Sequence, residues 1–141
     1  MITSQHIYQD KHWAPKLQPN HNAQLVLLFG GRKLAADKTL RNQIASQYPN
    51  AEIIGCTTSG EILDIQIYDE SLCLTAIEFN SSKVEVHTVN INNDPENASI
   101  QLAEHFKKEG LKSLFVLSDG QMVNGTDLTN TLQNILPDGT V

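Results

Sequence analysis

The stretch QLVLLFGGRKLAADKTLRNQIASQYPNAEIIGC, residues 24–56, decides the fold. Its opening, QLVLLF at 24–29, is an apolar run that stops at Gly30-Gly31, as in a strand buried on both faces. Asp37 then offers a helix N-cap, since its short carboxylate can accept from the free backbone N–H groups of a first turn. Leu40, Ile44 and Tyr48 follow at four-residue spacing, one stripe of an amphipathic helix, and Pro49 stops it. AEIIGC at 51–56 reads as a second short strand. Strand, helix and strand in that order predict a right-handed crossover with the two strands parallel.

Working outward, residues 72–79 read as a third long strand. Leu72, Leu74 and Ala76 lie on one face, and Cys73, Ile77 and Phe79 on the other. Asn80-Ser81-Ser82 is a turn, and residues 83–91 are expected to return as its hairpin partner. The apolar face there slips from Val84/Val86 to Val89/Ile91, which predicts a bulge near His87 or an edge position. Asp94-Pro95-Glu96 starts a helix with the buried stripe Ala98, Leu102 and Phe106, ended by Gly110. Residues 113–117 (SLFVL) read as a buried strand. Residues 126–136 read as a helix with Leu128, Leu132, Ile135 and Leu136 facing inward, broken by Pro137-Asp138-Gly139. Thr140-Val141 reads as the first step of a further strand.

Residues 1–22 carry His6, His12, Trp13 and Pro15 without periodicity, and are expected to be a lead-in segment partly ordered by Trp13. The expected fold is α/β: a mixed β-sheet with helices packed against it, in β-α-β-(loop)-β-β-α-β-α order, as a single lobe over residues 23–141.

The 141 residues suit one domain. Sixteen acids against ten bases give a net charge of −6, and the densest basic pair, Lys107-Lys108, is followed at once by Glu109. That balance argues against nucleic acid and anionic membrane surfaces, which demand a basic face. The longest apolar run is residues 25–29, too short for membrane insertion. The polar first twenty residues lack the apolar core of a signal peptide, so a cytoplasmic location is expected. On the same ground the glycosylation-type tripeptides at Asn80, Asn97 and Asn124 are read as coincidences. Cys56 and Cys73 form no C-x-x-C pair, which argues against a zinc site; their spacing leaves a disulfide open, and their apolar surroundings favour two reduced, buried thiols.

Chemistry is expected beyond the carboxyl ends of parallel strands, where open α/β sheets bind ligands. Three predicted strands end in short polar loops with glycine: Gly30-Gly31-Arg32-Lys33, then Gly55-Cys56-Thr57-Thr58-Ser59-Gly60-Glu61, then Ser118-Asp119-Gly120 running on to Asn124-Gly125-Thr126. If all three strands are parallel, the loops share one rim. Hydroxyls and free backbone N–H groups there suit a small polar ligand, and glycines permit close approach. The alternative is that Thr and Ser only satisfy the loop's own backbone. Glu61 is open to three roles: binding an amine, pairing with Arg32 or Lys33, or standing solvated. Asp119 either grips the ligand or caps the turn before the last helix.

These residues carry a family resemblance. IIGCTTSGEI at 53–62 resembles the signature loop of FIST domains, sensory modules named for F-box and intracellular signal transduction proteins. LFVLSDG at 114–120 with Asn124-Gly125, and the opening LVLLFGG, are similar to neighbouring blocks of that family's N-terminal half, so the likeness covers about residues 24–141. The resemblance implies a sensor that binds a small ligand such as an amino acid or related metabolite and drives an output partner: a chemoreceptor, a kinase or a cyclic-dinucleotide enzyme. It also implies a C-terminal half, so that a site shared between halves is expected to be incomplete in this chain. Some members bind haem and respond to nitric oxide, but none of His6, His12, His21, His87 and His105 is assignable as a haem ligand. A cysteine hydrolase built on Cys56 is a rival from another class. Thr58 stands where a nucleophile elbow needs glycine, and no spacing brings His87 or His105 near. Gly30-Gly31-Arg32-Lys33 lacks the spacing of either phosphate-binding glycine loop. The expectation is a binding module with no catalytic residue and no metal ligand.

Overall fold

In the computed structural model, which describes residues 1–63 and 65–141, the chain forms β1 (Ile2–Gln9), β2 (His12–Ala14), β3 (Leu25–Gly30), α1 (Arg32–Ala35), α2 (Lys38–Gln47), β4 (Glu52–Thr57), β5 (Glu61–Leu63), β6 (Gln66–Tyr68), β7 (Leu72–Glu78), α3 (Pro95–Phe106) and α4 (Gly125–Ile135). Five strands make a mixed sheet in the order β2-β1-β7-β3-β4, and β5 and β6 make a separate two-stranded hairpin. The class is α/β. The chain divides into two compact units, Met1–Val86 and His87–Val141.

In the first unit the β-α-β reading holds. Asp37 caps α2 by accepting from Thr39 N at 2.7 Å and Leu40 N at 3.1 Å. Leu40 and Ile44 face the sheet from α2, and Tyr48, just past its end, completes the stripe. They pack on Val26, Leu72, Leu74 and Ala76, which share one face of β3 and β7, and on Trp13, Leu17 and Ala23. β3 and β4 are parallel, as the crossover requires. On the other face of β3, Leu25, Leu27 and Phe29 are half-buried rather than enclosed.

Two expectations change, and for one reason. Residues 1–22 are not a loose lead-in: β1 pairs antiparallel with β7 from Ile2 beside Glu78 to Tyr8 beside Leu72, and β2 folds back on β1. Since β7 also pairs with β3, both its edges are filled. Residues 83–91 therefore have no edge of β7 to return to, and they form no strand.

In the second unit Asp94 caps α3 by accepting from Asn97 N at 3.0 Å, and Pro95 opens the helix as expected. Ala98, Ser99, Ala103 and Phe106 are its buried residues; Leu102 is half-buried. Asn124 caps α4, which packs along α3 with Leu128, Leu132, Ile135 and Leu136 only half-buried. Residues 113–117, expected as a buried strand, are not one, and Phe115 and Leu117 are exposed. Strands need a neighbour for their backbone groups, and this segment finds only the chain end. Val141 N donates to Lys112 O at 3.0 Å and Leu114 N to Val141 O at 2.7 Å, the bonding of a single parallel bridge.

Candidate functional site

The carboxyl ends of β3 and β4 lie side by side, with Gly30 next to Thr57. From there Gly31 leads into α1 and Thr58-Ser59-Gly60 into β5. The crossing is tight at Gly30: a Cβ there would stand 2.5 Å from the Ser71 carbonyl oxygen and 2.7 Å from Leu72 Cδ1. Gly31 N donates to that same carbonyl at 3.0 Å, and Thr58 N donates to Gly30 O at 3.0 Å. Three segments distant in sequence are thus tied at one end of the sheet.

Glu61 is the centre of this knot. It is the first residue of β5 and only 4% exposed. Thr58 Oγ1 donates to Glu61 Oε1 at 2.5 Å, and the fully buried Ser71 hydroxyl donates to Oε2. Buried carboxylates must be hydrogen-bonded or paired, and this one is held by hydroxyls. It does not pair with Arg32 or Lys33, which are exposed on α1, nor is it solvated. For Thr58 the self-satisfying alternative is the one realised. Cys73 is buried nearby; burial, and then the charge of Glu61, push its thiol above the ordinary value.

The two cysteines part company. Cys56, expected to be buried, is exposed because β4 is the outermost strand. Phe29 is the cross-strand partner of both Cys56 and Cys73. Two strand spacings put their Cα atoms about 10 Å apart, beyond the ~7 Å limit for bridging. A disulfide between them is ruled out.

Gly55, Cys56 and Thr57, expected in the loop, belong to β4, because the parallel pairing with β3 continues to Gly30. Gly55 is there for strand packing: a Cβ would overlap the Leu28 carbonyl. Thr57, Ser59 and Gly60 are exposed, and Thr58 is half-buried between them and Glu61. The result is an open polar rim over a buried carboxylate. Ser71 was not foreseen. Only its place as a small polar residue at the mouth of an apolar run marks it in the sequence, with no periodicity to link it to Glu61.

Ser118, Asp119 and Gly120 belong to the second unit, where they form an exposed turn. Of the two roles open to Asp119, capping is the one seen: Oδ1 accepts from Gln121 N at 2.8 Å and Met122 N at 3.2 Å. Two clefts are described in this unit. One of about 300 Å³ is lined by His87, Asn90, Asn92, Asn97 and Gln101 among others, and one of about 630 Å³ includes Asn93, Asp119 and Met122. Neither is lined by residues 55–61.

Among the described residues no group of three or more His, Cys, Asp or Glu is placed to hold a metal ion. The surroundings of His6, His12, His87 and His105 do not fit a haem. His6 is buried and hydrogen-bonded through Nδ1 to Pro15 O at 2.9 Å, and His12 Nδ1 lies 3.3 Å from Asp10 O. His87 and His105 stack face to face, 3.7 Å between centroids, and the walls near His87 are carboxamide-rich where a macrocycle needs an apolar slot. No helix among the described residues is long and apolar enough to cross a membrane.

Comparison with protein families matches residues 24–141 to the model described as FIST N domain. Comparison with curated proteins and with solved structures returned no match.

Proposed function

Because this chain belongs to the FIST N family, a family of signal-transduction sensors, we propose that it senses a small polar ligand at the rim formed by Thr57, Thr58, Ser59 and Gly60 over Glu61. One observation carries this reading: the adjacent carboxyl ends of two parallel strands, tied through Thr58 N and Gly30 O, with a buried carboxylate whose hydrogen-bond partners are hydroxyls. Carboxyl ends of parallel strands are where such sheets bind ligands. Exposed hydroxyls and backbone N–H groups suit polar groups of either sense, and an amino acid or related metabolite is the class of ligand we propose.

The step is binding and no bond is broken. Cys56 sits within a regular strand, where it lacks the sharp turn that presents a nucleophile. Signalling to an output chemoreceptor, kinase or cyclic-dinucleotide enzyme then follows from preferential binding to one of two states, the only way a ligand shifts an equilibrium. A cytoplasmic setting is part of the proposal.

The test is a thermal-shift screen of amino acids and related metabolites, followed by calorimetry on Thr57→Val/Ser59→Ala. Both residues are exposed, so the variant should fold normally and lose the ligand. A ligand that binds this variant as tightly as the parent would remove the site from consideration.

A further inference from the structure

The smaller cleft of the second unit, about 300 Å³, is lined by residues 87–92 and by the start of α3. Its volume lies at the low end of the range that holds small molecules. Asn97 and Gln101 are four positions apart on α3, so both carboxamides stand on one face of the helix. Thr88 adds a hydroxyl and Asn92 a further carboxamide. Among the described residues, none of these four side chains has a hydrogen-bond partner within the chain. Their donors and acceptors are unspent, and they meet at one hollow.

The lining also says what kind of molecule suits it. No Lys or Arg is among the lining residues, so a phosphate or carboxylate finds no counter-charge. The one carboxylate, Asp94, is committed to its helix, with Oδ1 accepting from Asn97 N at 3.0 Å. His87 is committed to the stack on His105. Carboxamides and hydroxyls both donate and accept, as the hydroxyls of a neutral sugar do. Val89 and Ile91, half-buried, and Ala98, buried, line the same cleft and give it apolar surface. A sugar ring presents that same combination, hydroxyl edges beside apolar C–H faces.

We infer that this cleft binds a neutral sugar of monosaccharide size. Thr88, Asn92, Asn97 and Gln101 hold its hydroxyls, and Val89, Ile91 and Ala98 take a C–H face. The site lies wholly within residues 87–101 and does not rest on the reading of the Thr57–Gly60 rim.

The experiment titrates the intact, isotope-labelled chain with D-glucose, D-galactose, D-mannose and myo-inositol, and with sodium phosphate, sodium acetate and ethylammonium chloride as charged controls. Amide resonances are followed throughout. At least one of the neutral ring compounds should give saturable shifts centred on residues 87–101, and the three ions should not. Asn97→Ala/Gln101→Ala should weaken that binding by about tenfold or more, two lost hydrogen bonds read as affinity. Both residues are exposed, alanine favours helix, and the N–H that Asp94 caps is kept, so α3 should persist in the variant. Asn92→Gly gives a second reading: Asn92 has φ 46°, which glycine adopts freely, so only the carboxamide is lost. Thr57→Val/Ser59→Ala should bind the sugar like the parent, which separates this site from the rim. Absence of saturable shifts with all four ring compounds would overturn the inference, and so would undiminished binding by the Asn97/Gln101 and Asn92 variants. Phosphate, acetate or ethylammonium binding here as tightly as the best sugar would overturn the neutral class of ligand.

Discussion

Phe29 stands between Cys56 and Cys73 on a single row of the sheet, paired with the first across a parallel ladder and with the second across an antiparallel one. One thiol faces solvent at the sheet's edge, and the other is buried within reach of the charge of Glu61.

Their reactivity should therefore separate. Under native conditions near neutral pH one equivalent of iodoacetamide should label Cys56, and Cys73 should react only on unfolding, at least about tenfold more slowly, because the thiolate is the nucleophile and burial disfavours it. Peptide mapping checks this. Early labelling of Cys73, or an oxidant-driven mass loss consistent with an intramolecular bridge, would contradict the geometry.

Glu61→Ala should cost about 1–3 kcal/mol, since it strands the buried Ser71 hydroxyl without its acceptor. Glu61→Gln keeps an acceptor and should cost less. Urea unfolding of the two variants gives the comparison; an alanine variant as stable as the parent would mean that the knot does not hold this end of the sheet.

Two glycines should prove irreplaceable and one indifferent. Gly30→Ala and Gly55→Ala each force a Cβ into a neighbouring backbone and should cost about 1–3 kcal/mol, as overpacking does. Gly120→Ala meets open space and should stay within about 0.5 kcal/mol of the parent. Melting temperatures suffice to rank the three.

Stability should fall on the alkaline side. Burial raises the Cys73 thiol, helped by Glu61, and burial raises the Tyr48 phenol against a smaller opposing effect of its hydrogen bond with Ser4. The folded protein thus keeps protons that the unfolded chain has already released. The contribution is complete below the ordinary values, about 8.5 for a thiol and about 10 for a phenol, and is lost as pH climbs through the raised ones. Tyr48→Phe should flatten the unfolding free-energy curve at pH values near and above the ordinary phenol value of about 10. A variant curve parallel to the parent's would refute that assignment.

The β-α-β unit was legible in the sequence because each of its signals is local: an apolar run, a cap at Asp37, a stripe at Leu40, Ile44 and Tyr48. β1 was not, because ITSQHIYQ mixes polar and apolar residues on both faces and its partner lies some seventy positions away. Residues 83–91 and 113–117 show the opposite error. Their composition suits strands, but β7 has no vacant edge for the first, and the second unit supplies only Val141 to the second. At the candidate site the glycines and hydroxyls announced themselves by type. That Glu61 would turn inward depended on Ser71, whose role only the closed sheet reveals.

The family likeness begins at residue 24, yet the ribbon that flanks β7 on one side is built from residues 2–9. A chain trimmed to the likeness would strip that flank and leave an apolar ladder half open, ready to zip onto other molecules. The first dozen residues are thus a sheath carried by the protein itself. Their removal should show up as insolubility long before it shows up as a lost signal.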